Sequence, residues 1–202
     1  LPPFVLPNLR ALACRRNLRC RTFLGFSIAG AIGRGYEVHT SGDLPAARPL
    51  YEEALRIQRK VLGNEHPRSA VVLTHLADLS FAQGDLRKAE ALAREAVEIR
   101  RKALGPDHAD FGASLMTLGS VRSAVEPGEE AEELLRRGLA ILTKALPTGH
   151  WRVAEAESRL GACLTARGKA VEAEPLLVHG YEGLLRGRGA QSAKTSAALE
   201  RL

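Results

Sequence analysis

The stretch "KALGPDHADFG" at residues 102–112 decides the fold, because the chain writes the same phrase more than once. "KVLGNEHPRSA" occupies residues 60–70 and "KALPTGHWRVA" occupies residues 144–154, so the phrase recurs at a spacing of 42 residues. A fixed period of this size is typical of stacked-repeat architectures, in which each unit buries its apolar face against the next. The same spacing should therefore align the rest of the chain.

Shifted by 42 residues, the chain aligns without gaps in columns of small residues, of leucines and of histidines. Agreement of this kind over several units predicts a repeat array. The aligned columns are Ala47, Ala89, Ala131 and Ala173; Ala54, Ala96, Gly138 and Gly180; Leu50, Leu92, Leu134 and Leu176; Leu76, Leu118 and Leu160; and His66, His108 and His150.

Each unit contains two helical segments. The first, such as "RSAVVLTHLADLSFAQ" at 68–83, places apolar residues at helical spacing on one face. A short turn follows, and then a second segment such as "LRKAEALAREAVEIRRKAL" at 86–104. Its charged residues suggest an exposed face, on which we expect Glu95 to pair with Arg100 and Glu98 with Lys102.

The repeated phrase is predicted to be the joint between one helix pair and the next. Gly63 and Gly105 follow second helices, where glycine most easily adopts a left-handed cap. Pro67 suits a first turn, with His66 as its N-cap. Equivalent histidines should lie roughly 16–20 Å apart, because two helices separate them. We therefore expect the three histidines to be caps and not ligands of one metal ion.

These columns resemble the tetratricopeptide repeat, in the 42-residue variant seen in kinesin light chains and many bacterial proteins. The resemblance is carried by residues 62–108, with variants at 104–150 and 146–188, and it extends over roughly 42–202. It implies an all-α fold, a right-handed α-solenoid of antiparallel helix pairs. First helices would line a concave groove, and second helices would form the outer face.

The domain organisation predicted from these patterns is a basic, poorly ordered arm at 1–22 followed by the array at 23–202. About four helix pairs and the start of a fifth are expected. The first pair is degenerate, because "IGRGY" at 32–36 supplies the family's tyrosine as Tyr36 only with a two-residue insertion in the next turn. The only methionine is Met116 and the last residues fall midway through a repeat, so we expect a chain truncated at both ends.

The positive charge is confined to the first segment. Residues 1–36 contain six arginines and no acidic residue, whereas basic and acidic residues balance in 37–202. The net charge of +6 is therefore no argument for specific nucleic-acid binding by the array. The arm alone would bind nucleic acid or anionic lipid non-specifically, a weaker hypothesis.

The three cysteines form no CxxC pair, which argues against a disulfide framework or a structural zinc site and favours a reducing, cytoplasmic compartment. An exported protein is the alternative, since residues 15–33 pair arginines with a mainly apolar run that resembles a signal peptide. That run is too short and glycine-rich for a membrane-spanning helix.

Catalytic or cofactor-binding patterns are not evident in the sequence, so we predict neither an enzyme nor a cofactor. Cys163 lies on an Ala- and Leu-rich helix and is interpreted as a buried structural thiol. His75 beside Leu76 is interpreted as a packing residue. Pro49 and Pro175 are placed near helix starts, where a proline is tolerated.

The predicted function is a non-catalytic scaffold that binds a protein or peptide in the concave groove. The alternative is a sensor or docking segment of a larger signalling or regulatory protein. Because the groove register holds no Lys, Arg or Asn and includes Asp78 and Glu155, the groove should suit a neutral or weakly basic segment. By the family's register, the groove-facing residues are Val71, Thr74, Asp78, Phe81, Met116, Ser120, Ser123, Glu155, Ser158 and Thr165.

Overall fold

The computed structural model describes residues 30, 32–39 and 43–202, and the regular structure in them is helical throughout. The predicted all-α class is thus confirmed. The predicted arm at 1–22 and most of the signal-like segment lie outside the described residues. The helices are α1 (32–39), α2 (Leu44–Leu62), α3 (Pro67–Ala82), α4 (Leu86–Leu104), α5 (Ala109–Val125), α6 (Glu129–Ala145), α7 (Trp151–Ala166), α8 (Ala170–Arg188) and α9 (Ala193–Leu199).

The helices pack as consecutive antiparallel pairs. The odd-numbered helices are the predicted first helices, and the even-numbered ones are the second. Within a unit, α3 packs on α4, α5 on α6 and α7 on α8, and each second helix also packs on the first helix that follows. The first helices contact one another between units, α3 with α5, α5 with α7 and α7 with α9. The first helices therefore form a continuous layer, the one predicted to line the groove.

The joints are capped as predicted. The Nδ1 atoms of His66, His108 and His150 each accept a hydrogen bond from the backbone N–H two residues later, at 3.1 Å. Each imidazole therefore satisfies one of the free amides that begin a first helix. Gly63 and Gly105 follow second helices with φ of 91° and 84°, a conformation that strains residues with a side chain.

A first and a second helix of one unit touch through complementary residues. A Cβ added to Gly119 would lie 2.7 Å from Cγ of Leu135, and one added to Gly161 would lie 2.7 Å from Cγ of Leu177. Where the first helix has a glycine, the second therefore has a large residue. The α3–α4 unit resolves the same contact with two alanines, Ala77 and Ala93, both buried.

This complementarity corrects the predicted register of α1. A Cβ on Gly35 would lie 2.8 Å from the Tyr51 ring, whereas Gly33 has no neighbour within 4 Å. Gly35 precedes Ala77 by the regular 42 residues, so α1 follows the repeat without an inserted turn. Tyr36 then aligns with Asp78 and not with the family's tyrosine position.

The two prolines lie further inside their helices than predicted. Pro49 and Pro175 are each the sixth residue of a helix, after the amides that lack an intrahelical acceptor. Each therefore leaves one carbonyl, that of Pro45 or of Val171, without its helical donor. All four residues are exposed, so water can bond these carbonyls.

Charges on the second helices bridge neighbouring units more than they follow the predicted pairs. Glu95 accepts from Arg59 of the preceding second helix, and Glu98 pairs with Arg101 at 2.8 Å. Lys102 reaches Glu65 in the preceding joint at 2.8 Å. The expected pairs of Glu95 with Arg100 and of Glu98 with Lys102 are therefore wrong, because Glu95 and Lys102 bond to the preceding unit and Glu98 bonds to Arg101 of its own helix.

Candidate partner-binding groove

The residues predicted to face the groove differ in accessibility. On α3, Val71, Thr74 and Asp78 are half-buried and the Phe81 side chain is more exposed. On α5, Ser120 and Ser123 are half-buried. On α7, Glu155 is half-buried and Thr165 is exposed. These residues lie on three consecutive first helices, and their part in binding stays a prediction.

Two of the predicted groove residues have side chains that are not available to a partner. Met116 is only 3% exposed and belongs to the core, because its Sδ lies 2.7 Å from where a Gly138 side chain would begin. Ser158 is fully buried against Gly180 and accepts a hydrogen bond from Arg201 at 3.1 Å. The missing side chains at the two glycines draw these residues into the contact between helices.

Several groove hydroxyls are already committed to the helix backbone. Thr74 donates to the carbonyl of Ala70 at 2.8 Å, and Ser120 donates to that of Met116 at 2.9 Å. Thr165 makes the same bond to Gly161 at 3.0 Å. These positions therefore present acceptors more than donors to a partner, and the Thr74 hydroxyl already accepts from Arg100 at 3.3 Å.

Helix α1 adds aromatic side chains that the sequence prediction missed. Tyr36 and His75 have ring centroids 5.9 Å apart, and the Tyr51 ring stacks on His75 at 5.2 Å. His39 meets the Tyr51 ring edge-on at 6.2 Å. With Asp78 nearby, this is the aromatic end of the groove. The correct register of α1 would have identified it.

Burial dominates the electrostatics of this aromatic end. It lowers the pKa of both His39 and His75, and the nearby Asp78 carboxylate only partly opposes the shift. The charges of Lys194 and Arg100 also lower the pKa of His75. Both imidazoles are therefore held in the neutral form.

Arg100 is a buried cation between two units, where the sequence analysis had placed it on an exposed face. It is 4% exposed, and its Nη1 donates to Ser114 Oγ at 2.6 Å and to the Asp110 carbonyl at 3.0 Å. It also donates to Thr74 Oγ1 at 3.3 Å. Burial lowers the pKa of its guanidinium, whose bonded acceptors are uncharged.

A second buried ionic group lies at the other end of the groove. Glu155 on α7 accepts from Arg159 at 2.8 Å and from Lys194 of α9. Burial alone would raise the pKa of Glu155, but these two cations outweigh it and lower the pKa to about 2. Arg201 lies close to Arg159 and donates to Ser158. Positive charge therefore gathers where the sequence suggested only Glu155.

Trp151, the only tryptophan of the chain, begins α7 at this same end. The Arg188 guanidinium lies 4.8 Å from its ring centroid, the Lys194 ammonium 5.4 Å and the Arg152 guanidinium 5.9 Å. Arg188 also donates to the Tyr36 hydroxyl at 3.4 Å, so the two ends of the array meet here. We call Trp151, Arg152, Arg188 and Lys194 the tryptophan site.

The outer face has a cleft with a different character. It is lined by residues of α6, among them Glu132, and of the turn between α7 and α8. Glu132 pairs with Arg136 at 2.8 Å, with Lys169 at 2.9 Å and, more closely, with Arg167. These cations outweigh burial and lower the pKa of Glu132 to about 2. The cleft sets three carboxylates against four cations, and its ion pairs join two units.

Catalytic and metal-binding arrangements are not found in the described part of the chain. Cys163 is buried in the core, as predicted, and no group of three or more His, Cys, Asp or Glu side chains could hold a metal ion there. Across residues 30, 32–39 and 43–202, no helix has the length and apolarity to cross a bilayer.

The comparisons agree with the helix-pair architecture. The tetratricopeptide repeat model matches residues 37–102 and 69–144, together more than half of the chain. A Podosopora anserina protein described as having kinesin light chain nearly identical TPR-like repeats is 26% identical, with a TM-score of 0.65, over 87% of this chain and 83% of that one. BtubC (BKLC) from P. vanneervenii, 18% identical over 89% of this chain and 76% of its own, has the same fold with a TM-score of 0.66. No curated protein matches the chain.

Proposed function

The chain belongs to the tetratricopeptide repeat family, and on that premise we propose that it is a non-catalytic scaffold that binds a peptide segment of a protein partner along its first helices. The family generally serves protein–protein interaction and is usually non-catalytic. The layer of first helices supports this proposal, because its inner side chains are partly exposed and differ in residue type from unit to unit.

A single observation carries the proposal. Contact positions between helices repeat from unit to unit, as in the buried column of Ala47, Ala89, Ala131 and Ala173. The inner positions do not repeat, since Phe81, Ser123 and Thr165 occupy equivalent places. A packing role would favour the same residue type in each unit, whereas recognition of an irregular peptide requires different ones.

The test compares two triple variants that add the same charge. The inner set is Phe81→Arg, Ser123→Arg and Thr165→Arg. The outer control set is Ala91→Arg, Ala140→Arg and Val171→Arg, at exposed positions of second helices. Peptides selected from a random displayed library on the unmodified protein would be measured against both sets by fluorescence anisotropy.

We expect the inner set to abolish binding and the outer set to leave it within about twofold, since added charge alone is the same in both. Neither set should change the free energy of unfolding by more than about 0.5 kcal/mol per substitution. Loss of binding with the outer set and not with the inner one would assign recognition to the outer face and contradict the proposal.

The sequence left open whether the chain is a free-standing adaptor or part of a larger protein, and both are compatible with this function. A free-standing adaptor and a docking segment of a larger regulatory protein would use the same inner surface. The cytoplasmic location stays a prediction. Co-localisation of a tagged full-length gene product with cytoplasmic and exported markers would decide between the compartments.

A further inference from the structure

The contact between Trp151 and Arg188 differs from its equivalents in the other units. Arg188 is the last residue of α8, and the residues at the same repeat position are Leu62, Leu104 and Leu146, all half-buried. Arg188 is exposed. In the fourth unit, an arginine on an aromatic ring has therefore replaced a leucine contact.

The tryptophan site is pre-organised by its own packing. Gly187 leaves room for Trp151, whose Cβ lies 2.9 Å from where a side chain on Gly187 would begin. The ring then holds the Arg188 guanidinium and the Lys194 ammonium by attraction to its face. Because a stacked guanidinium keeps its planar edge free, it can still donate hydrogen bonds to an incoming oxygen.

Positive charge exceeds the carboxylates available at this end of the groove. Among the described residues, the Arg188 side chain donates only to the Tyr36 hydroxyl, and the Arg201 side chain donates only to Ser158 Oγ. Glu155 is shared by two cations, Arg159 and Lys194. At least one guanidinium edge, that of Arg188, is thus exposed and lacks a carboxylate partner within the described part of the chain.

We propose that the tryptophan site binds the carboxylates of an acidic peptide segment, with Arg188 and Lys194 as donors beside the Trp151 ring. The inference rests on the proposed function and adds the chemistry of the partner. It reverses the expectation of a neutral or weakly basic segment, which considered only groove positions on first helices. Arg188 lies on a second helix, and Arg152 and Lys194 begin first helices.

An acidic peptide fits this surface better than a nucleic acid. Carboxylates lie among the cations. Asp110 is 3.1 Å from Arg152, and Glu155 pairs closely with Lys194. A nucleic-acid backbone presents phosphates at a short, regular spacing and would meet these carboxylates. A peptide can place an acidic side chain at Arg188 and a neutral one beside Glu155.

The single tryptophan supplies the measurement. A Glu-rich synthetic peptide, its Gln-substituted counterpart, its Lys-substituted counterpart and a single-stranded oligonucleotide would each be titrated into the protein. Trp151 emission and anisotropy of the labelled probe would be followed. We expect the Glu-rich peptide to bind about tenfold more tightly than the Gln counterpart, and its binding to weaken with salt.

The repeat itself provides the variants. Arg188→Leu restores the residue type of the other three units and should fold normally. It should weaken binding of the Glu-rich peptide about tenfold, as expected for the loss of a charge-assisted hydrogen bond. Lys194→Gln should act in the same direction. Arg186→Leu, on the same helix and exposed beside Glu182, is the matched control and should leave the affinity unchanged.

The outcomes separate this inference from the proposed function. If library peptides bind and are lost with the inner triple variant, but are not acidic and ignore Arg188→Leu, then the acidic-partner inference fails and the scaffold function stands. If peptides depend on Arg188 and not on the inner residues, the proposed groove fails and the tryptophan site stands; if they depend on neither, both fail. Tighter binding of the oligonucleotide, lost with Arg188→Leu, would overturn the assignment of the site to a peptide.

Discussion

The second and fourth units, α3–α4 and α7–α8, share a framework and differ on the inner face. Both begin with a histidine cap, His66 or His150, and both bury an alanine at the same helix contact, Ala89 or Ala173. On the inner face, His75 lies in a neutral aromatic group, whereas Trp151 is surrounded by cations. The framework therefore defines the fold, and departures from it distinguish the units.

The largest expected effect is on the shared framework. Ala89→Trp and Ala173→Trp each place a large ring at a contact that is at most 1% exposed. Because close-packed helices cannot admit that volume, we expect each to destabilise the fold by about 3 kcal/mol or more. Urea unfolding followed by circular dichroism measures this. Sensitivity in only one of the two units would show that the units do not share a framework.

A second prediction concerns the contact that the two units solve differently. Gly161→Ala should destabilise the fold by about 1–3 kcal/mol, since its Cβ would collide with Leu177. Leu177→Ala alone should destabilise it by about 2–5 kcal/mol. The double variant recreates the Ala77–Ala93 pair of the second unit.

In that double variant, the added penalty of Gly161→Ala should disappear, and a double-mutant cycle of unfolding free energies measures the coupling. Strict additivity would mean that the glycine and the leucine do not depend on each other.

The two ends of the groove should lose stability in different pH ranges. The pKa of His75 is lowered from 6.5, so an unfolded chain binds more protons below that pH. The contribution of neutral His75 is therefore complete above pH 6.5 and declines as the pH falls towards its lower folded-state pKa. His75→Phe keeps an aromatic partner for Tyr51 and should reduce the fall in melting temperature over this range.

Glu155 should act at lower pH. Its pKa is lowered from 4.5 to about 2, so its contribution is complete above pH 4.5 and is lost as the pH falls through about 2. Glu155→Gln should reduce the loss of melting temperature in this acidic range and leave the range near pH 6 unchanged. If His75→Phe and Glu155→Gln altered the same range, the separation of the two ends would be wrong.

The smallest effect is expected at the outer joints. Lys102 pairs with Glu65, which lies in the joint before the second unit. In the joint before the fourth unit, the equivalent residue is Gly149, which has no carboxylate. Both side chains of the pair are more than half exposed, so Lys102→Ala should change the unfolding free energy by less than about 0.5 kcal/mol. A larger change in urea unfolding would indicate that the joint depends on this ion pair.

The fold was predictable from the sequence because its contacts lie at positions that repeat. The histidine caps and the alanine column follow from residues that keep the same spacing, and the burial of Cys163 follows from the apolar helix around it. Each such column shows the same structural environment several times, so the other residues of the column correct a wrong assignment at one position. The register of α1 was wrong because "IGRGY" was aligned through Gly33 and Tyr36 and not through Gly35.

The candidate site was less predictable, because it depends on exceptions within columns. Arg100 was assigned to the surface from its charge, yet its column also contains Gln58, Leu142 and Leu184, all buried. That column would have predicted its burial. Arg188 likewise stands where the other units have Leu62, Leu104 and Leu146, so the sequence alone marks it as an exception. Contacts such as Arg188 with Tyr36, 152 residues apart, depend on the curvature of the whole array, which no local pattern contains.

Arg100 has a consequence for the mechanics of the array. Apolar contacts between units have no fixed direction. At the joint between α4 and α5, the guanidinium makes directional bonds to Ser114 and to the Asp110 carbonyl while it stays bonded to Thr74. At the equivalent place in α2, the Gln58 amide has no hydrogen-bond partner in the described residues. The joint between α4 and α5 is therefore fixed in direction by bonds that the joint between α2 and α3 does not form at the equivalent place.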